Sequence, residues 1–128
     1  MKKIVCLLLV SIFLITACDK KEMVENPKTE GVNLMEFGEF KNITPDKTTS
    51  IIVLKYTEGG VSENEITSSE EIANTYNYLN NYKVGDKVDM ACDDNTTIYK
   101  FNLDDGSNLS IEIECNWIVV GKNRYEIK

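Results

Sequence analysis

The sequence predicts a small α+β domain, in which an antiparallel sheet with element order ββαββββ packs one helix across one face. Segments with the alternating apolar pattern of strands are frequent after residue 50, and one segment between them has apolar residues at helical spacing. The chain has 128 residues, which is enough for one hydrophobic core. One helix on one sheet is an economical way to bury both patterns.

The opening hairpin is predicted from two extended segments around a glycine turn. Residues 50–57 (SIIVLKYT) have the β-branched and apolar content of a strand, and residues 61–67 form a weaker, more polar strand. Between them, Gly59 and Gly60 supply the positive φ that a tight hairpin needs.

The helix is predicted to begin after Ser68, which is a favourable N-cap residue. Glu71 lies three residues later and completes a capping box. Ile72, Tyr76 and Leu79 then form one apolar stripe at helical spacing, and the polar residues that follow end the helix.

Four strands close the domain, at residues 97–103, 109–115, 117–120 and 124–127. Cross-strand partners share a face of the sheet, so odd positions in the first of these strands must pair with odd positions in the second. Phe101 opposite Ile111 satisfies this rule, and the helix is expected to lie on the face that carries both. The loop is then residues 105–107, with Gly106 or Ser107 in the left-handed conformation.

The first eighteen residues have the three-part organisation of a secretory signal: a basic start (MKK), an apolar run and small residues before a cysteine. The sequence Ile15-Thr16-Ala17-Cys18 resembles the lipobox of bacterial lipoproteins. That resemblance implies a diacylglyceryl group on the Cys18 sulfur, cleavage between Ala17 and Cys18, and attachment to the extracytoplasmic face of the cell membrane. The alternative is an ordinary signal peptide or N-terminal anchor in which Cys18 is an incidental thiol.

Three regions are therefore expected: residues 1–17 as the signal peptide, residues 18–47 as the lipidated cysteine and a flexible polar tether, and residues 48–128 as the domain. The tether is polar and contains scattered glycine and proline residues. Leu34, Met35, Phe37 and Phe40 are too apolar for a solvated tail. Part of this patch is expected to pack on the domain as an extra strand or turn, and a partner-binding segment is the alternative.

Residues 51–128 resemble small domains of unknown function in lipoproteins of low-GC Gram-positive bacteria. The resemblance rests on the capped helix between an opening hairpin and a closing meander that ends in GKNRYEI. Thirteen lysines against one arginine fit the AT-rich codons of such a host. The family implies no activity that can be transferred to this chain.

Composition excludes several classes of function. The chain has no histidine, which removes Ser-His-Asp and Cys-His catalysis and the usual zinc and copper sites. Its net charge of −7 is unfavourable for binding nucleic acid. We expect a non-catalytic protein without a cofactor, which binds an envelope protein or a wall component.

Two alternatives to this function depend on carboxylates. Asp86, Asp89, Asp93 and Asp94 could supply oxygen ligands to calcium in a small-ligand or calcium sensor, although their spacing does not match the helix-loop-helix calcium site. A pair of carboxylates in a minor hydrolase is the other alternative. Solvated loops are the favoured explanation of these acidic residues, and no metal site is predicted.

Cys92 and Cys115 are the cysteines that remain in the expected domain, and an oxidising compartment favours a disulfide between them. The predicted register places Thr97 opposite Cys115, so a straight strand would carry Cys92 roughly 16 Å away. The chain between residues 93 and 96 would then have to fold back. Two buried or free thiols are the alternative.

Three aromatic residues are candidates for an interaction surface. Tyr78 and Tyr82 lie off the apolar stripe of the helix, and Trp117 begins a strand. Together they could form a recognition surface. Ordinary packing in the core or on the surface is the alternative.

Overall fold

The computed structural model describes residues 31–92 and 94–128, which form one α-helix, eight strands and three short 3-10 helices. The α-helix is α1 (Ser69–Asn80). The 3-10 helices are Leu34–Glu36, Gly38–Asn42 and Pro45–Lys47. The strands are β1 (Val32–Asn33), β2 (Thr48–Thr57), β3 (Gly60–Ile66), β4 (Lys83–Val88), β5 (Thr96–Leu103), β6 (Asn108–Glu114), β7 (Trp117–Val120) and β8 (Asn123–Ile127).

All eight strands belong to one antiparallel sheet with the order β1-β4-β8-β7-β6-β5-β2-β3. The predicted α+β class, with one antiparallel sheet and one α-helix, is confirmed for the described residues. The predicted order ββαββββ is wrong, because β1 and β4 are additional strands. They pair with each other, and β4 continues the sheet beyond β8.

Strand β4 was not predicted from the sequence, because a bulge interrupts the alternation of its apolar and polar residues. The register with β8 shifts between Val84 and Lys87, so the two valines of β4 do not mark one face in a simple way. Gly85 is a strand residue. A Cβ atom there would lie 2.7 Å from the Cε atom of Lys128, so this flexible side chain would have to shift to accept a larger residue.

Helix α1 begins as predicted, because the backbone N–H of Glu71 donates to the Ser68 hydroxyl at 3.2 Å. The stripe of Ile72, Tyr76 and Leu79 is buried. The Tyr76 ring meets the edge of Phe101 at a centroid distance of 5.3 Å, which places the helix on the predicted face of the sheet.

The Tyr76 hydroxyl is hydrogen-bonded to the Thr48 hydroxyl at 2.7 Å inside the core. Thr48 donates its own proton to the carbonyl of Thr44 at 3.0 Å. The Tyr76 hydroxyl is therefore the donor to Thr48, and the polar groups are satisfied where α1 crosses the start of β2.

The segment before β2 covers part of the same face of the sheet. Leu34 and Phe40 are 0 % and 1 % exposed, and the Phe37 ring packs on Tyr125 of β8 at 4.9 Å. The packed core therefore includes residues that the sequence assigns to the tether. These side chains pack in the same core as α1, as their apolar character indicates, because the Phe40 ring lies 6.3 Å from Phe101. Residues 18–30 of the predicted tether lie outside the described residues.

The β5–β6 hairpin has the predicted parity but a different register. Phe101 pairs with Leu109, and Tyr99 pairs with Ile111, so the predicted pairing is wrong by two residues. The loop has the predicted length of three residues but begins one residue earlier, because Leu103 donates its backbone N–H to the Ser107 carbonyl at 2.9 Å and so closes a loop of residues 104–106. Gly106 takes the left-handed conformation, with φ of +83°.

Candidate functional site

An open groove of about 600 Å³ lies between α1 and the β2–β3 hairpin, on the face of the sheet that carries the helix. Val53 of β2 and Tyr99 of β5 are cross-strand partners and line its base. Ser62, Asn64 and Ile66 of β3 share this face, because each lies opposite an odd-numbered residue of β2. The groove exists because the hairpin extends past the edge of the helix.

One face of α1 forms the other wall of the groove. Glu71, Asn74, Thr75 and Tyr78 line it, at the i, i+3, i+4 and i+7 spacing that places residues on one side of a helix. This face is next to the buried apolar stripe of α1. Helix α1 thus contributes one row of side chains to the core and a second, polar row to the groove.

Tyrosine hydroxyls form a connected group at the rim of the groove. The Tyr78 and Tyr82 hydroxyls are hydrogen-bonded at 2.7 Å, and their rings meet edge to face at 5.5 Å. The hydrogen bond from Tyr78, followed by burial, raises the pKa of Tyr82 to about 12. Burial, with Tyr78 nearby, also raises the pKa of Tyr99. Both groups are therefore neutral at physiological pH and offer hydrogen bonds and ring faces rather than a general base.

The groove combines an apolar base with amide, hydroxyl and charged groups on its walls, and the charged groups are Lys55, Glu63 and Glu71. Tyr78 is 51 % exposed, so its ring is accessible to a partner. Amide and hydroxyl side chains both donate and accept hydrogen bonds, and tyrosine adds apolar contact area at low entropic cost. These groups suit reversible binding of a polar chain with some apolar surface.

The three aromatic candidates do not share one surface. Tyr78 and Tyr82 contact each other on the helix side of the molecule. Trp117 precedes Ile118, which is 0 % exposed in the core, and successive residues of a strand point to opposite faces. Trp117 therefore lies on the sheet face opposite α1, and the two tyrosines form the groove-side cluster without it.

Cys92 and Cys115 lie at disulfide distance, with their Cα atoms 6.4 Å apart. The change in register accounts for part of the difference from the roughly 16 Å expected for a straight strand. Thr97 faces Ile113 rather than Cys115, so the β6–β7 turn is two residues closer to Cys92. Cys115 itself has φ of +45°, which is rare for a residue other than glycine.

The acidic residues considered as calcium ligands belong to different local structures. Asp86 is within strand β4 and forms an ion pair with Lys128 at 3.7 Å. Asp94 lies beside the cysteine pair, where its carboxylate and the two sulfur atoms are within 4.8 Å of one another. Sulfur atoms that are joined in a disulfide do not serve as thiolate ligands. Asp93 lies outside the described residues.

A cluster of charged residues lies on the sheet face opposite the helix. Glu114 is only 7 % exposed, and its Oε2 atom pairs with the Nε atom of Arg124 at 3.1 Å. Burial, followed by the neighbouring Glu114 carboxylate, raises the pKa of Glu112. Glu112 and Glu114 are two residues apart on β6 and therefore share this face. The ion pair joins β6 to β8 across the short strand β7.

The predicted cleavage site at Ala17 and the lipidation site at Cys18 lie outside the described residues, as does the rest of the signal segment. In residues 31–92 and 94–128, no helix has the length and hydropathy needed to cross a bilayer.

Comparisons of the chain with protein-family models, with curated proteins and with solved structures found no match. The chain's own residues are therefore the basis for assigning its function. Sequence patterns indicated Tyr78 and Tyr82, but not Val53, Asn64 or Tyr99. The glycine turn indicates that β2 pairs with β3, but no local signal in the sequence reports that β5 pairs with β2 and places Tyr99 beside Val53.

Proposed function

We propose that this chain is a lipoprotein of the bacterial cell envelope, held on the outer face of the cytoplasmic membrane by a lipid on Cys18. Its domain binds an envelope protein or a wall component through the groove between α1 and the β2–β3 hairpin, without catalysing a reaction. The groove is the observation that carries the binding role, because it joins an accessible tyrosine to amide and hydroxyl groups.

The cysteine pair supports the proposed location. Disulfides form and persist in oxidising, extracytoplasmic compartments and are rare in the reducing cytoplasm. Cys92 and Cys115 have the separation that a disulfide requires. The basic start, apolar run and lipobox supply the export signal and the attachment point.

The chemistry of the groove supports binding rather than turnover. Tyr99 at the base of the groove and Tyr82 beside Tyr78 are poor bases or nucleophiles at physiological pH, because their pKa values are raised above the ordinary value of 10.0. The chain has no histidine to act as a base there. A binding groove needs complementary contacts only, and the side chains along α1 and β3 provide them.

Site-specific photo-crosslinking in the host bacterium tests this function. A photoreactive phenylalanine analogue replaces Tyr78 in the full chain, and the matched control carries the same analogue at Trp117 on the opposite face. We expect an adduct from position 78 and none from position 117. Protease treatment would remove a protein adduct, whereas muramidase would remove a wall adduct. An adduct from position 117 alone, or from neither position, would contradict the proposed binding site.

A further inference from the structure

Strand β3 forms one edge of the sheet and has no second neighbour within residues 31–92 and 94–128. Its residues 60–65 are all exposed. Seven residues of extended chain give an open edge about 23 Å long. The opposite edge is different, because β1 has only two residues. An open edge presents unpaired backbone N–H and C=O groups and can receive another strand.

The two sides of β3 differ in chemistry because side chains alternate along a strand. Glu63 and Glu65 lie opposite Leu54 and Ile52, on the sheet face away from the helix. On the other side, Ser62, Asn64 and Ile66 line the groove, and Glu63 also contributes to its lining at the open edge. A strand added beside β3 would thus place alternate side chains next to the two carboxylates and next to the groove.

Charge disfavours a second copy of this chain as the added strand. Two copies related by a two-fold axis would pair β3 with itself in an antiparallel register. If the two-fold axis passes beside Glu63, all seven residues of β3 are paired and Glu63 lies opposite Glu63 of the other copy. If the axis passes beside Asn64, Glu63 lies opposite Glu65. Like charges directly opposite each other destabilise a sheet. The whole chain is also acidic, with a net charge of −7, so a basic partner is attracted at long range.

We infer that β3 receives an extended, lysine-bearing segment of another envelope protein as a ninth strand. Lysines at alternate positions face Glu63 and Glu65, while the intervening uncharged residues face Asn64 and the groove beside Tyr78. Main-chain hydrogen bonds supply the attachment, and the alternating side chains supply the selectivity. This inference rests on the proposed function, since it names the partner class of the same groove.

Synthetic peptides test the backbone pairing directly. The probe alternates lysine and threonine over ten residues, and its two derivatives carry N-methyl groups on the lysines alone or on the threonines alone. In a strand, every second N–H points to the same neighbour. One derivative should therefore bind the chain at least about tenfold more weakly than the probe in calorimetry, while the other is unaffected. Equal binding of both derivatives, or no binding of the probe, would overturn the inference.

Charge reversal tests the role of the carboxylates. In the variant Glu63→Lys/Glu65→Lys, a peptide with glutamate in place of lysine should bind better than the lysine probe. The control Glu36→Lys/Glu39→Lys makes the same change of net charge at exposed residues of the 3-10 segments and should keep the original preference. Identical behaviour of the two variants would show that only net charge matters and would overturn the inference.

The peptide experiments and the crosslinking test can give different outcomes, so they distinguish the strand-addition inference from the proposed binding function. A muramidase-sensitive adduct at position 78, without peptide binding, would leave the binding function in place and remove the strand-addition inference. Selective peptide binding without an adduct in cells would keep β3 as a site for strand addition in the isolated chain but would contradict its use by an envelope partner.

Discussion

Replacing Cys92 and Cys115 should lower the stability of the domain by an amount that follows from the loop they close. The cysteines are 23 positions apart, so their link constrains a loop of about two dozen residues. The chain-entropy relation gives about 3 kcal/mol for a loop of this size at 25 °C. In a domain of about 100 residues this corresponds to a fall in melting temperature of roughly 15 °C.

The backbone at Cys115 makes the prediction more specific. Its φ of +45° is a left-handed value, which costs a residue with a Cβ atom about 1 kcal/mol relative to glycine. The variant Cys92→Ala/Cys115→Gly should therefore unfold with a free energy about 1 kcal/mol higher than that of Cys92→Ala/Cys115→Ala. The same first substitution in both variants isolates the contribution of the turn.

Thermal and urea unfolding, followed by circular dichroism, measure both effects in a chain that begins at Asp19. Starting there excludes the two cysteines of the leader and lipobox from the assay. The unsubstituted chain should lose stability on reduction to about the level of the double alanine variant. A double alanine variant that melts within a few degrees of the oxidised chain would refute the linkage. A glycine variant no more stable than the alanine variant would refute the left-handed turn.

Three further substitutions test local electrostatics. Glu112→Gln should raise the free energy of unfolding at pH 7, because burial and Glu114 raise the pKa of Glu112 and make its ionised form unfavourable in the fold. This gain should vanish below the ordinary pKa of 4.5 and grow as the pH rises through the raised value, as measured by urea unfolding across this range. Glu114→Gln should instead lower the free energy of unfolding by about 1 kcal/mol at pH 7, because Arg124 loses its ion-pair partner. If both glutamine variants changed the free energy of unfolding in the same direction, the different roles of Glu112 and Glu114 would be contradicted. Tyr78→Phe should bring the pKa of Tyr82 down from about 12 toward 10, seen as phenolate absorbance in an alkaline titration, and an unchanged pKa would exclude the hydrogen bond as its main cause.

The elements that local chemistry specifies were predictable from the sequence. The Ser68 cap places the start of α1, and the apolar stripe identifies its buried face. The β2–β3 turn follows from its glycine pair, and Gly60 has a positive φ of +120°. The closing strands follow from alternation and from short turns. In each case the residues that determine the element are adjacent in the sequence.

Elements that depend on distant partners could not be predicted in the same way. Strand β4 is bulged and polar, and its position follows from pairing with β8 at the other end of the chain. The β5–β6 parity follows from alternation, but the register depends on which two residues close the loop, here Leu103 and Ser107. The two-residue difference brings Cys115 closer to Cys92, although a straight strand would still leave about 10 Å between them.

The candidate groove was only partly visible in the sequence. Tyr78 and Tyr82 could be identified because they lie off the apolar stripe of α1. Trp117 was also a candidate, because it begins a strand. Strand alternation places it on the other face of the sheet, since the next residue, Ile118, is buried in the core. The base of the groove depends on how far β2 and β3 extend past the helix, which is a property of the packed sheet.

The central claim is that the mature protein is anchored to the membrane by a lipid on Cys18 and exported to an oxidising compartment. Intact-mass measurement of the protein recovered from the host membrane fraction, before and after reduction, tests it most directly. If Cys18 carries the anchor, the chain begins at Cys18, carries a diacylglyceryl group, and gains two hydrogen atoms on reduction of the bond between Cys92 and Cys115. A chain in which Cys18 is unmodified or has been removed would contradict the proposed anchor.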